Sequence, residues 1–141
     1  MKKSFLLFAF VVIANMLATA YPSSNDEIPK IVQDSFASRH PGIKAKWEEE
    51  DLKYEANFEK DGKEMSAVFD VSGKLLETEI EIEFESLPKT ISEYLQKNNK
   101  GKIKEASKIT NANGLITYEV EVGKSDLMFD AQGNFISENK H

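Results

Sequence analysis

The sequence predicts an α+β protein of two tandem helix-plus-antiparallel-sheet repeats, with about eight strands in one sheet and two helices on one face. Three observations predict it. Short motifs recur in the same order about 60 residues apart. Each copy opens with an amphipathic stripe of helical spacing. The rest of each copy alternates apolar and polar residues with a period of two, broken by tight-turn signals.

The repeat comes first, because it fixes the architecture. Ile28-Pro29-Lys30 recurs as Leu87-Pro88-Lys89, and Ile43 as Ile103. Tyr54-Glu55-Ala56-Asn57-Phe58 recurs as Tyr118-Glu119-Val120-Glu121-Val122. Val68-Phe69-Asp70 with Gly73 recurs as Met128-Phe129-Asp130 with Gly133. Spacing drifts only in loops, so residues 28–86 and 87–141 are read as two copies within one compact domain.

Before them lies an address. Lys2 and Lys3 precede an apolar run from Phe5 to Leu17, and Ala18-Thr19-Ala20 supplies the small residues of a cleavage site. Residues 1–20 are therefore expected to be a secretory signal peptide. The run is shorter than the roughly 20 residues that span a bilayer, so no membrane span is expected after cleavage. Residues 21–27 read as a flexible leader, and the mature chain is expected in the periplasm or outside the cell.

In the first helix Ile28, Val32 and Phe36 form one stripe; in the second, Leu87, Ile91, Tyr94 and Leu95 do. Proline suits the first turn, Ser86 is positioned to cap the second helix, and His40-Pro41-Gly42 and Asn99-Lys100-Gly101 end them. Then Leu52, Tyr54, Ala56 and Phe58 face one way, with Lys53, Glu55, Asn57 and Glu59 opposite. Asp61-Gly62 is a hairpin signal, and Asp70 to Gly73 a second turn in which aspartate binds the turn backbone. Asn113-Gly114, Gly123-Lys124 and Asp130 to Gly133 repeat this punctuation.

Composition narrows the chemistry. The 141 residues hold 24 acidic and 18 basic side chains, two histidines, one tryptophan and no cysteine. Without cysteine there is no disulfide scaffold, thiolate metal site or thiol nucleophile. Losing residues 1–20 removes two lysines and no acid, which takes the net charge from −6 to −8. That charge argues against nucleic-acid binding, and Lys97, Lys100, Lys102, Lys104 and Lys108 read as offsetting the acidic surface. His40 and His141 have no acid and nucleophile placed beside them, so no catalytic residue, cofactor or metal site is expected.

The Ile/Leu-Pro helix start, Trp47, the Tyr-Glu strand from Tyr54, the Phe69-Asp70 to Gly73 turn and Glu77-Thr78-Glu79 resemble PepSY-like domains. These belong with β-lactamase-inhibitor-like proteins, exported bacterial proteins built of tandem helix-plus-sheet repeats. The resemblance covers roughly Ile28 to Lys140 and implies the same architecture. It also implies a non-catalytic role in binding or inhibiting a secreted or envelope protein such as a peptidase or other hydrolase. The disulfides of the β-lactamase-inhibitor branch have no counterpart here.

Candidate partner-binding residues follow from strand parity. Glu77, Glu79, Glu81, Glu83 and Glu85 would share one face of a strand, with Ile80, Ile82 and Phe84 turned toward the helices. Such a row reads as a solvated face, a docking face for a cationic partner, or a weak divalent site. A single row spaced about 7 Å apart cannot converge on calcium. Val68 and Met128 break the polar parity beside Glu55 and Glu119, so they are expected to form a small apolar patch on the open face. Trp47 shares parity with Ile43 and Ala45, and reads either as core or as a partner-facing anchor. The leading expectation is a protein partner; the alternative is a small-ligand or cation-binding envelope module. The sequence does not set the oligomeric state.

Overall fold

The computed structural model describes residues 28–141, and the expected signal peptide and leader lie outside the described residues. The chain runs α1 (Lys30–Arg39), β1 (Lys46–Glu50), β2 (Lys53–Lys60), β3 (Lys63–Asp70) and β4 (Leu75–Glu81). After a single 3-10 turn (Phe84–Ser86) it repeats the pattern as α2 (Lys89–Lys97), β5 (Ile103–Asn111), β6 (Ile116–Val122), β7 (Ser125–Asp130) and β8 (Phe135–Lys140). All eight strands pair antiparallel in chain order within one sheet. The halves meet where β4 pairs β5, with Glu79 opposite Ile109, so the sheet is continuous across the repeat boundary.

Each helix covers its own half of one sheet face. Val32 and Phe36 of α1 bury against Tyr54, Ala56, Phe58, Ala67 and Phe69. Ile91 and Leu95 of α2 bury against Ala106, Val120, Val122, Leu127 and Phe129. The stripes are short, and burial on the sheet rather than helical propensity sustains them. The Phe36 ring stands edge-on to Trp47, Phe58 and Phe69, with centroids 5.5, 5.1 and 6.5 Å away. In the second half Tyr94 meets Phe129 edge-on at 5.4 Å and stacks on Phe135 at 4.8 Å.

The turns seat the helices. Asp70 accepts the backbone N–H of Ser72 and of Lys74 at 2.8 and 3.1 Å, and Asp130 accepts those of Gln132 and Asn134 at 2.9 and 2.8 Å. Side-chain bonds from the Ser72 hydroxyl to Asp70 and from the Asn134 amide to Asp130, and then these backbone bonds, hold both carboxyls below the usual aspartate range. Each turn is then pinned to its helix: Ser35 donates to the Gly73 carbonyl at 2.6 Å, and Thr90 to the Gln132 carbonyl at 2.7 Å. The turn at Asn113-Gly114 uses the same device at the same spacing, with Asn111 accepting the N–H groups of Asn113 and Leu115.

Two expectations are corrected. Ser86 does not cap α2; it lies in the 3-10 turn, and Pro88 holds the cap position with no side-chain hydrogen bond. The acidic strand stops at Glu81. Ile82 makes the last bond to the neighbouring strand, at Ala106, and the chain then coils through Phe84–Ser86 to reach α2. Glu83 and Glu85 are consequently exposed and off the strand face, and Phe84, expected toward the helices, is 43% exposed.

Candidate functional site

The sheet face opposite the helices carries the unusual chemistry. Register places Glu55 directly opposite Val68, and Val68 opposite Glu77. In the second half Ser107 is opposite Glu119, Glu119 opposite Met128, and Met128 opposite Ser137. Each repeat therefore sets an apolar side chain beside a glutamate at the same position, as the sequence implied.

Neither helix covers this face, yet much of it is withdrawn from water. Val68 is 1% exposed and Glu79 6%, and Glu55, Ser66, Ser107, Glu121 and Asp126 are also buried. A twisted sheet of eight strands curls rather than lying flat. The expected solvated acidic row and exposed apolar patch are both corrected: Val68 and Glu79 are buried, and Glu77 and Met128 are half-buried. Of the row, Glu81 alone is exposed while still on the strand. Trp47 lies on the other face, half-buried against Phe36 and Phe69.

A cleft of about 350 Å³ opens on this face, its walls including Lys46, Asn57, Ser66, Glu79, Glu105 and Ser107. Burial is the leading cause that raises the carboxyls of Glu55, Glu77, Glu79, Glu105, Glu119 and Asp126. Glu119 is pushed up to about 8, by burial first and then by repulsion from Asp126, Glu105, Glu77 and Glu121. Glu79 is raised well above the ordinary value by burial and then by Glu119, Glu55 and Glu77, against a hydrogen bond from Ser107. Two oxygens remain orphaned on this face: Glu79 Oε1 and Asp126 Oδ1 are buried with no hydrogen-bond partner among the described residues. Cations answer only part of the field. Lys104 pairs with Glu121 at 3.0 Å, and His141 Nδ1 lies 3.2 Å from Asp126.

The acids do not gather into a metal cage. Among the described residues no three histidines, aspartates or glutamates are grouped to hold an ion. Sequence reasoning missed Ser66, Ser107, Glu105 and Asp126. The signal for Ser66 was its polar parity on a strand whose opposite parity, Met65, Ala67 and Phe69, is apolar; for Ser107, Glu105 and Asp126 it lay in strand pairing, which one strand's alternation does not reveal.

The fold and this face define a class of two-layer tandem-repeat proteins with one sheet face left free by the helices. The chain belongs to the family described as "Putative beta-lactamase-inhibitor-like, PepSY-like", whose model matches residues 14–77 and again 52–137. Among curated proteins, none matches the sequence. Solved structures share the fold. One, described as a "putative periplasmic" protein of Bacteroides eggerthii, has a TM-score of 0.73 at 14% identity, over 81% of this chain and 89% of that one. A DUF2874 family protein of Bacteroides ovatus gives 0.70 at 19% identity, over 82% and 89%. A BLIP-like protein of Bacteroides fragilis gives 0.61 at 24% identity, over 81% and 86%. No helix among the described residues is long and apolar enough to cross a membrane.

Proposed function

We propose that this is an exported, non-catalytic binding module that grips a protein partner with the uncovered face of its sheet, and that its sharpest role is inhibition of a secreted or envelope peptidase or other hydrolase. The observation that carries the reading is the half-buried Met128 paired with the half-buried Glu119 on that face, which also holds the cleft of about 350 Å³. An interface core of this kind, apolar groups within a polar surround, suits protein recognition. The family's inhibitor-like description and the "putative periplasmic" description of one structural relative support the role and the compartment.

The test is affinity capture from an envelope extract with the protein and with Met128→Lys. Met128 is half-buried, so the lysine can reach water without unfolding the sheet. A partner retained by the native protein and lost by the variant supports the reading, and an assay of that partner with and without the protein decides inhibition. Equal retention by both removes this face from the function.

A further inference from the structure

We infer that the acid-lined cleft receives a single basic side chain, arginine or lysine, from the protein partner, with its cationic head against Glu79. This rests on the protein-binding reading and adds the chemistry of the contact. Glu79 is 6% exposed and lines the cleft, and its Oε1 has no partner among the described residues. A buried acceptor without a donor costs about 1–3 kcal/mol, more when charged, so an occupant that supplies the missing hydrogen bond gains more there than on open surface.

The surroundings select the occupant. Glu119 on β6, Glu55 on β2 and Glu77 on β4 repel a negative charge on Glu79, while Ser66 on β3, opposite Glu79, and Ser107 on β5 are neutral. An anion is repelled by that set. An apolar group leaves Oε1 orphaned. A divalent metal finds no ligand cluster among the described residues. A guanidinium or ammonium brings both the donor and the charge. The lysines of the cleft wall, Lys44 and Lys46, come from its β1 side, whereas Glu79, Glu81 and Glu105 come from β4 and β5. The volume, about 350 Å³, is at the small end of the 300–1,000 Å³ typical of ligand pockets, a fit for one side chain rather than a folded segment.

Entry of a cation also changes the protonation of the floor. Burial and mutual repulsion favour the neutral acids in the free protein, and a positive charge beside them favours release of a proton. Binding then strengthens as pH rises.

The probe is acetyl-arginine amide, titrated into the purified protein and followed by carboxyl and backbone NMR, with acetyl-citrulline amide as its uncharged counterpart. The expected result is shifts centred on Glu79, Ser66 and Ser107, a Kd of millimolar order, and about tenfold weaker binding of citrulline amide. Glu79→Gln, which keeps the shape and removes the charge, is expected to lose about tenfold for arginine amide, and native affinity is expected to rise between pH 6 and 8. Equal binding of the two amides, absence of shifts at these residues, or undiminished binding by folded Glu79→Gln overturns the inference. A captured partner lost with Met128→Lys but retained equally by Glu79→Gln overturns the inference and leaves the protein-binding reading standing; a partner insensitive to both overturns each.

Discussion

Thr90 on α2 donates its hydroxyl to the carbonyl of Gln132, and the neighbouring Gly133 lies so close that a Cβ built on it runs into that same hydroxyl. Pro88 Cβ and Ile91 Cγ1 would stand 3.1 Å from the added carbon. The first repeat does likewise, with a Cβ on Gly73 meeting the Ile31 carbonyl oxygen at 2.8 Å. Both glycines have positive φ, +81° and +77°. The turn between the last two strands of each repeat is thus the seat on which its helix rests.

Gly62 separates conformation from contact. Its φ of +76° matches, but nothing lies within 4 Å of an added Cβ. Gly62→Ala is expected to cost about 1 kcal/mol, the left-handed penalty alone. Gly133→Ala adds a steric term and is expected to cost about 2–4 kcal/mol. Urea midpoints of the two variants check this; equal losses would show that the helix seat yields freely.

Leu52 is strained in the opposite sense, since it occupies a glycine position. It and Asp51 have φ of +62° and +49° in the β1–β2 turn, the signs a type I′ hairpin requires at both central residues. Leu52 is 68% exposed, so burial returns little. Leu52→Gly should recover about 1–2 kcal/mol of backbone strain and lose about 0.4–1 kcal/mol through a more flexible unfolded chain. A net gain of about 0.5–1 kcal/mol, seen as a higher Tm, is the expected outcome. A fall in Tm would mean the leucine side chain contributes packing at that end of the sheet.

The buried acids set the pH dependence. A carboxyl whose folded pKa exceeds its unfolded value binds more protons folded than unfolded, so stability falls as pH rises between the two. Glu119, raised from 4.5 to about 8, therefore makes the protein less stable at pH 8 than at pH 5, and Glu79 acts in the same direction. Other side chains oppose this. His40, its pKa lowered first by burial and then by Lys60 and Arg39, costs stability as pH falls through about 6.5. Asp70 and Asp130, lowered by their turn bonds, contribute stability that is lost in acid. Glu119→Gln isolates the Glu119 share: its gain over the native protein should grow from pH 5 to pH 8 and level off above. A pH-independent difference would refute the raised ionisation.

The helices, strands and turns were legible because each is written in local periodicity: Val32 and Phe36 at helical spacing, Tyr54 to Phe58 in alternation, Asp70 and Asp130 three residues before glycine. Parity also placed Val68 beside Glu55 on the face away from the helices. It could not tell that Val68 and Glu79 are buried there, because alternation assigns a face and is silent on that face's curvature. Nor could it find the end of β4. The Glu-x-Glu pattern runs on unbroken to Glu85, and the strand stops at Glu81 because the chain must leave the sheet in time to lay α2 across β5–β8, a constraint set by distant residues.

Continuity of the sheet gives the last expectation. The two hydrophobic cores are separate, but β4 and β5 join them through a ladder from Glu77–Asn111 to Glu81–Ser107. Were each repeat an independent unit, damage to one would leave the other's melting unchanged. Trp47, the sole tryptophan, reports on the first core through its contacts with Phe36 and Phe69. Leu127 is wholly buried in the second core, and Leu127→Ala should cost about 2–5 kcal/mol. If the shared ladder couples the halves, this substitution lowers the Trp47 fluorescence midpoint as far as the circular-dichroism midpoint, as all-or-none unfolding demands. A Trp47 transition that stays at its native midpoint while the dichroism transition splits would show two units folding side by side.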